Sequence, residues 1–341
     1  MSKVFAAELK KLLKLQHLLL VFILALSVRT VLCFVPTAHE HPYSDEVYKR
    51  YTTQLSGELT NEKTELLGTR LAEIQALIAD YDAMQQRYQR SEIDLSEYSD
   101  FTARHGIAKA EEKTVAYLCE KYAKLSECSG FEREVFCDTD WADLFAENGY
   151  DYIMLITLLC IAVPAFDTEF SSGSYAQIAT SKRGRSQTAL AKLMAVSLAV
   201  FVLSVMMSAA RLGVFAYQHG FDFSDKPAGN VLLTNSLGKT TLLGYFATDS
   251  LLKAVAFVFY ALAACAISAA CKNVTFSFVL SFLVCVTPLF VLDNSGSVLV
   301  CASVLYKMYN GFSAFKFAFI SLLKSVAVGI LALGLWRKAH S

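Results

Sequence analysis

The chain has 341 residues, 55% of them hydrophobic, with a mean hydropathy of +0.41 and a formal net charge of zero. That composition excludes an ordinary soluble domain and points to a multi-span membrane protein with no nucleic-acid partner. The zero conceals a split, because residues 36–149 carry 23 acids against 12 bases, a net −11, and the rest of the chain is net +11.

Residues 1–16 predict a cytoplasmic amphipathic helix with Val4, Phe5, Leu9, Leu12 and Leu13 on its apolar side. The first span follows at 17–35. Its charged-then-apolar form is also that of a signal peptide. The apolar run is long for one, however, and "VPTAHE" is a weak cleavage site, so an uncleaved span is expected. The acidic block, 36–149, contains no apolar run long enough to cross a bilayer. Within it Leu67, Leu71, Ile74, Ile78, Tyr81 and Tyr88 form a coiled-coil-like seam, echoed by Val115, Leu118, Tyr122 and Leu125. A turn in "RSEIDLSEYSD", with Ser96 or Ser99 as helix cap, would fold the two into an antiparallel helical hairpin.

Further spans are expected at 150–165, 189–216, 250–271, 275–292 and 314–336, against about 20 residues for a spanning helix. The third is long enough to tilt or to leave the bilayer. Between them lie a segment at 166–188, an outer loop at 217–249, a re-entrant segment at 293–313 and a tail at 337–341. Basic residues cluster at the N-terminus, at Lys182, Arg183, Arg185 and Lys192, at Lys272, and at Arg337 and Lys338. Six spans with a cytoplasmic N-terminus put every cluster on the cytoplasmic side and the acidic block outside. The fold class expected is therefore an all-α membrane protein of six transmembrane helices, with an extracellular helical hairpin between the first two.

Nine cysteines show no metal-binding spacing. Cys119, Cys128 and Cys137 lie in the outer block and are candidates for one disulfide, with Cys33 as a further partner; free thiols are the alternative. The histidine pair His39 and His41, near Asp45, reads as surface loop residues, and no metal site is expected. Gly238-Lys239-Thr240 imitates the end of a nucleotide-binding loop, but Leu233 stands where its first glycine is required. No nucleophile, base and oxyanion donor assemble, so the chain is expected not to be an enzyme by itself and to carry no cofactor.

The stretch "FDTEFSSGSYAQIATSKRGRSQTALAK", 166–192, is the most informative. Pro164 can end or kink the second span, and Asp167, Thr168 and Ser171 are cap residues for a short helix after it. Phe170, Tyr175 and Ile178 are available for one packing face. A loop obeying the positive-inside rule accounts for Lys182, Arg183 and Arg185 as lipid contacts, but not for the acid and small residues ahead of them. Glu169, Gly173-Ser174, the basic turn from Thr180 to Arg185, and Lys192 together resemble the segment between spans two and three of ABC-2 permeases. These are the membrane subunits of exporter-type ABC transporters. The proline usual in that turn is missing, with Lys182 near its place. The resemblance covers the whole chain in topology and about 27 residues in motif.

The resemblance implies that this segment is a coupling helix docking on a separate ATP-binding subunit, with ATP and magnesium used by that partner. Glu169, Phe170, Gly173, Tyr175, Arg183, Arg185 and Lys192 would form the interface, with Gly173 permitting close helix approach. It also implies a homodimer or heterodimer of permease chains in a bacterial plasma membrane, both termini cytoplasmic, and short re-entrant helices near Lys307 and Tyr309. Lys324, in mid-span, is a candidate for the translocation path, whereas Arg29 and Arg211 would snorkel. The function expected is export or membrane extraction of an amphiphilic or peptide-like substrate. An acidic outer block would suit a cationic antimicrobial peptide. The alternative is a membrane-anchored sensor or assembly protein whose outer hairpin binds a partner.

Overall fold

The computed structural model describes residues 2–14, 16–34, 41–127, 133–146, 152–171, 173, 184–232, 240–291 and 314–338. It is mostly helical and divides into two compact units. The first takes in Met1–Pro36, Asn148–Gly220 and Phe246–Ser341; the second takes in Thr37–Glu147 and Phe221–Tyr245.

The first unit is built from apolar helices: α1 (Ser2–Lys14), α2 (Gln16–Cys33), α8 (Tyr152–Ala162), α9 (Pro164–Ser171), α10 (Gly184–His219), α12 (Leu242–Cys271), α13 (Val274–Val291) and α14 (Ala314–Lys338). Three stretches are long and apolar enough to cross a membrane: Ile153–Phe170, Ser186–His219 and Leu242–Cys271. Shorter apolar helical stretches are Leu20–Cys33, Val274–Cys285 and Leu322–Trp336. Their outer faces are apolar as well. Met194, Leu198, Val202 and Met206 form an exposed stripe on α10, and Leu20, Ile23, Leu24 and Val31 an exposed patch on α2. Water would penalise such surface and lipid does not, which marks this unit as membrane-embedded.

The second span runs past its expected end at residue 165. Pro164 does not stop it, because proline is tolerated at the first position of a helix, where its missing N–H is no loss. Thus α9 follows α8 after a single turn residue. Thr168 bonds back to the Pro164 carbonyl at 2.8 Å instead of capping a new helix. Ser268 and Cys265 of α12 reach the carbonyls of Val163 (2.7 Å) and Ala162 (3.6 Å) at the interruption. Small side chains at Ala261, Ala264 and Ala269 line the buried face of α12, the pattern that lets helices approach closely in lipid. Helix α10, 36 residues and so about 54 Å long, also overruns its expected limits, as does α12, which begins at Leu242.

In the second unit α4 (Asn61–Ala79) and α5 (Tyr81–Gln89) pack along α6 (Leu95–Ser126) in the opposite chain direction. Arg70 meets Glu111, Tyr81 stacks on His105 at 4.2 Å, and Tyr88 stacks on Tyr98 at 4.5 Å. Leu67 and Ile74 from one seam and Val115, Leu118, Tyr122 and Leu125 from the other make the core. The cap of α6 is Asp94, whose carboxylate accepts from the Glu97 N–H at 2.7 Å, rather than Ser96 or Ser99. An acid at the positive end of a helix combines the capping bond with the dipole.

Helix α3 (Asp45–Gln54) packs on α6, and β1 (Gly57–Glu58) pairs antiparallel with β2 (Glu134–Val135). The segment expected to be a plain loop, 217–249, joins this unit. Its helix α11 (Ala228–Leu232) packs on α7 (Thr139–Ala146). Trp141 donates its indole N–H to the Asp222 carbonyl at 2.9 Å, Phe136 stacks on Phe223, and Phe145 meets Tyr245 edge-on. Lys226 pairs with Glu134, whose carbonyl accepts from Asn230. Residues 293–313 lie outside those described.

Trp141→Ala should remove the bond to residue 222 and open a large void, at a cost of about 3–5 kcal/mol. Limited proteolysis of the membrane-bound protein should then cut within 221–245 faster than in the wild type.

Candidate functional site

The stretch that carries the resemblance is closed at its base by ions. Lys192 of α10 has three ammonium protons and three acceptors: Glu169 (2.9 Å), Glu8 (3.0 Å) and the carbonyl of Ala165 (3.0 Å). Glu169 also receives Lys11 at 3.0 Å. Glu169 is 1% exposed and Lys192 is 4% exposed. Helices α1, α9 and α10 are thereby fastened together, and two acids against two bases leave no net charge in the cluster.

Burying ions in an apolar bundle is costly, and only such mutual compensation makes it tolerable. The four partners come from three places in the chain. Glu8 is the only acid in the first 35 residues and lies one turn from Lys11 on α1. That isolated acid among lysines is the signal by which the sequence could have shown it.

Phe170, beside Glu169, also faces inward. Trp336 near the end of α14 is fully buried, its ring 4.9 Å from that of Phe166 and 5.2 Å from that of Phe170. Lys272, at the α12–α13 turn, lies over the Phe170 ring at 5.7 Å. Glu169 and Lys192, expected at an interface with a second chain, are buried within this one, and Phe170 is half-buried beside them.

Gly173 is exposed and has φ +68°. Among the described residues nothing lies within 4 Å of where a Cβ would sit, so no described helix of this chain is the close neighbour expected there. It takes the left-handed conformation that ends a helix, its N–H reaching back towards Phe170 at 3.4 Å. Tyr175 and Arg183 lie outside the described residues. Arg185 falls in the first turn of α10, which contains no acid. A base at the positive end of a helix does nothing for the helix. Lys324 lies half-buried on α14. Arg211, expected to snorkel, is buried instead. Cys119 and Cys137 carry free thiols, and Cys128 is outside the described residues.

The second unit holds two buried charge clusters that the sequence did not single out. Lys121 reaches Asp138 at 2.5 Å and the Tyr48 hydroxyl at 2.7 Å, and Tyr48 donates to Asp138 at 2.6 Å. Burial first, and the Asp138 carboxylate second, push the Tyr48 phenol far above its ordinary value. Tyr43 stacks on Tyr48 at 4.2 Å, and His41 stacks on Tyr43 at 4.8 Å while pairing with Asp143 at 2.9 Å. One turn or more away, Glu111 accepts from Tyr51 (3.1 Å), Arg70 (3.2 Å) and Arg50. Burial alone would raise Glu111, but these donors outweigh it and hold the carboxyl below its ordinary value. Among the described residues no group of three or more His, Cys, Asp or Glu could hold a metal.

No family model, curated protein or solved structure matches the chain. The resemblance to ABC-2 permeases therefore rests on the residues themselves.

Lys192→Met should strand Glu8 and Glu169 in the bundle and cost about 3–5 kcal/mol, while Lys192→Met combined with Glu169→Gln should recover much of it. Thermal melts of the detergent-solubilised proteins measure both. For Glu111 the folded value is depressed. Its stabilisation is therefore present above the ordinary glutamate value of 4.5 and is lost as pH falls through the lower folded value. Glu111→Gln should melt below the wild type at neutral pH and show a smaller further fall as the pH is taken below the ordinary glutamate value of 4.5.

Proposed function

We propose that the chain is the membrane subunit of an exporter-type ABC transporter, moving an amphiphilic or peptide-like substrate at the expense of ATP hydrolysed by a separate subunit. The observation that carries this reading is the closure of the 166–192 stretch by the 2.9 Å pair between Glu169 and Lys192. Both ends of the motif are fixed to α1 and to the spans. A push on the residues between them would thus reach three helices at once. The intervening residues 174–183 and Arg185 are assigned to a groove of the ATPase. Bases that do not favour the α10 terminus gain their use from acids of that partner or from lipid phosphates.

In this reading six helices cross a bacterial plasma membrane, and both termini and the 166–192 stretch are cytoplasmic. Two such chains, identical or homologous, join two ATPase chains. The pairing of 37–147 with 221–245 in one unit supports the topology, because two helical crossings lie between those segments and both must emerge on the same side. Glu111 and Asp138 are the buried acids of the described outer block, so its negative charge is mostly at the surface. Such a surface attracts cations over a distance, which favours a cationic peptide as substrate.

The test is a pull-down of the ATPase by the purified chain carrying Arg183→Glu and Arg185→Glu, with its melting temperature as control for folding. Association should weaken roughly tenfold or more, since each tenfold is about 1.4 kcal/mol and charged contacts at an interface exceed that. Undiminished association and ATP-driven transport with both reversals would remove the coupling assignment. A chain that binds no ATPase in either form would belong to the sensor class instead.

A further inference from the structure

The turn that follows α10 exposes apolar surface. Phe221 is 51% exposed, Phe223 40%, and Leu243, in the first turn of α12, 38%. Their backbone is nonetheless firmly held. The Asp222 carbonyl accepts from the Trp141 indole, that of Ser224 from the Leu243 N–H at 3.1 Å, and that of Lys226 from the Leu242 N–H at 2.8 Å. Three exposed apolar residues therefore stand close together on a fixed frame. Phe223 also has φ +63°, a left-handed conformation that is strained for a bulky side chain. Its stack on buried Phe136, at 5.5 Å, covers part of the ring and leaves the exposed remainder to be accounted for.

The level of this turn in the bilayer follows from α10. The exposed face of that helix reads Met194, Leu198, Val202, Met206, Gly213 and Tyr217, all on one side by their spacing. From Met194 to Tyr217 is about 35 Å of helix, slightly more than the roughly 30 Å of hydrocarbon in a bilayer, so the stripe ends at the headgroups. Phe34, just past α2, meets Tyr217 edge-on at 6.2 Å, and aromatic rings gather at that level. Gly220, with φ +77°, then turns the chain. Phe221 thus follows Tyr217 by about one helical turn, about 6 Å, and the headgroup layer is itself about 5–7 Å deep.

We propose that Phe221, Phe223 and Leu243 form a ledge seated in the headgroup layer of the bilayer, so that lipid as well as the chain holds the acidic unit to the membrane surface. The occupant is lipid because the ledge continues, along the chain, the exposed apolar face of a membrane-embedded helix. Rings and a leucine suit that boundary, where apolar bodies leave water without entering the hydrocarbon. Asp222 and Asp225 lie exposed beside the rings. Their carboxylates keep to water, which limits the ledge to the headgroup layer and favours zwitterionic over anionic lipid.

The experiment places a tryptophan in the full chain, reconstituted in phosphatidylcholine vesicles, and reads its fluorescence above that of Trp141 and Trp336. Phe221→Trp should lose fluorescence to phosphatidylcholine spin-labelled at the headgroup, lose less to lipid labelled deep in the acyl chain, and be shielded from iodide in the water. Leu243→Trp, on the other segment of the ledge, should do the same. Leu95→Trp is the reference, because Leu95 is 67% exposed on α6 and distant in the chain from any span. It should be quenched by iodide and not by labelled lipid. All three sites are exposed and accept the larger ring, so melting should match the wild type. Equal behaviour of Phe221→Trp and Leu95→Trp overturns the proposal. Shielding of Phe221→Trp from iodide without quenching by lipid also overturns it, since a protein surface, a second copy included, would then cover the ledge. The measurement involves no ATPase and no transport, so its failure leaves the transporter reading untouched.

Discussion

The structure of the membrane unit depends on the mutual compensation of charge in a place that cannot solvate it. Lys192 could not sit 4% exposed between helices unless each of its protons met an acceptor. It meets three, and the acceptors come from α1 and α9. This one requirement fixes the N-terminal helix against the spans, aligns α9 with α10, and fastens both ends of the 166–192 stretch. Lipid offers little hydrophobic drive for helices to associate, so polar contacts and close packing of small residues must supply the specificity. The alanine face of α12 and the lysine cluster of α10 are those two means in this chain.

The acidic unit follows the same logic. Its net charge is carried mostly at the surface, while the few charges inside it are met by partners of opposite charge and by phenols. Lys121 faces Asp138 and Tyr48, and Glu111 faces two arginines and a tyrosine. Beside the Lys121 cluster, His41, Tyr43 and Tyr48 form an aromatic stack. The segment 221–245 completes the unit, which is thus made from two distant pieces of sequence.

Much of the helical framework was legible because its cause is local. Apolar length marks a spanning helix, and heptad spacing through Leu67, Ile74, Val115 and Leu118 marks faces that must meet. Element limits were less legible where they depend on a neighbour. Pro164 looked like an end, yet it serves as a helix start because α12 supplies partners for the carbonyls beside it. Gly173 drew attention as a point of close approach to another chain, and its left-handed backbone just beyond α9 is a second demand that favours glycine there. Glu169, Phe170 and Lys192 drew attention as odd residues for a loop. Glu169 and Lys192 are buried within the chain, a property that a linear pattern does not show.

The sequence alone determined that the chain is helical and apolar, with an acidic block set apart from a basic, membrane-embedded remainder. Those properties are sums over residues and need no knowledge of who meets whom. Only the tertiary structure decided that Glu8 and Lys11 belong with Glu169 and Lys192, that residues 221–245 complete the acidic unit, and that Ser268 meets the Val163 carbonyl at the Pro164 interruption. Each of these joins residues far apart in the chain. Pairing of buried charges is set by desolvation and distance, and neither exists until the helices have packed.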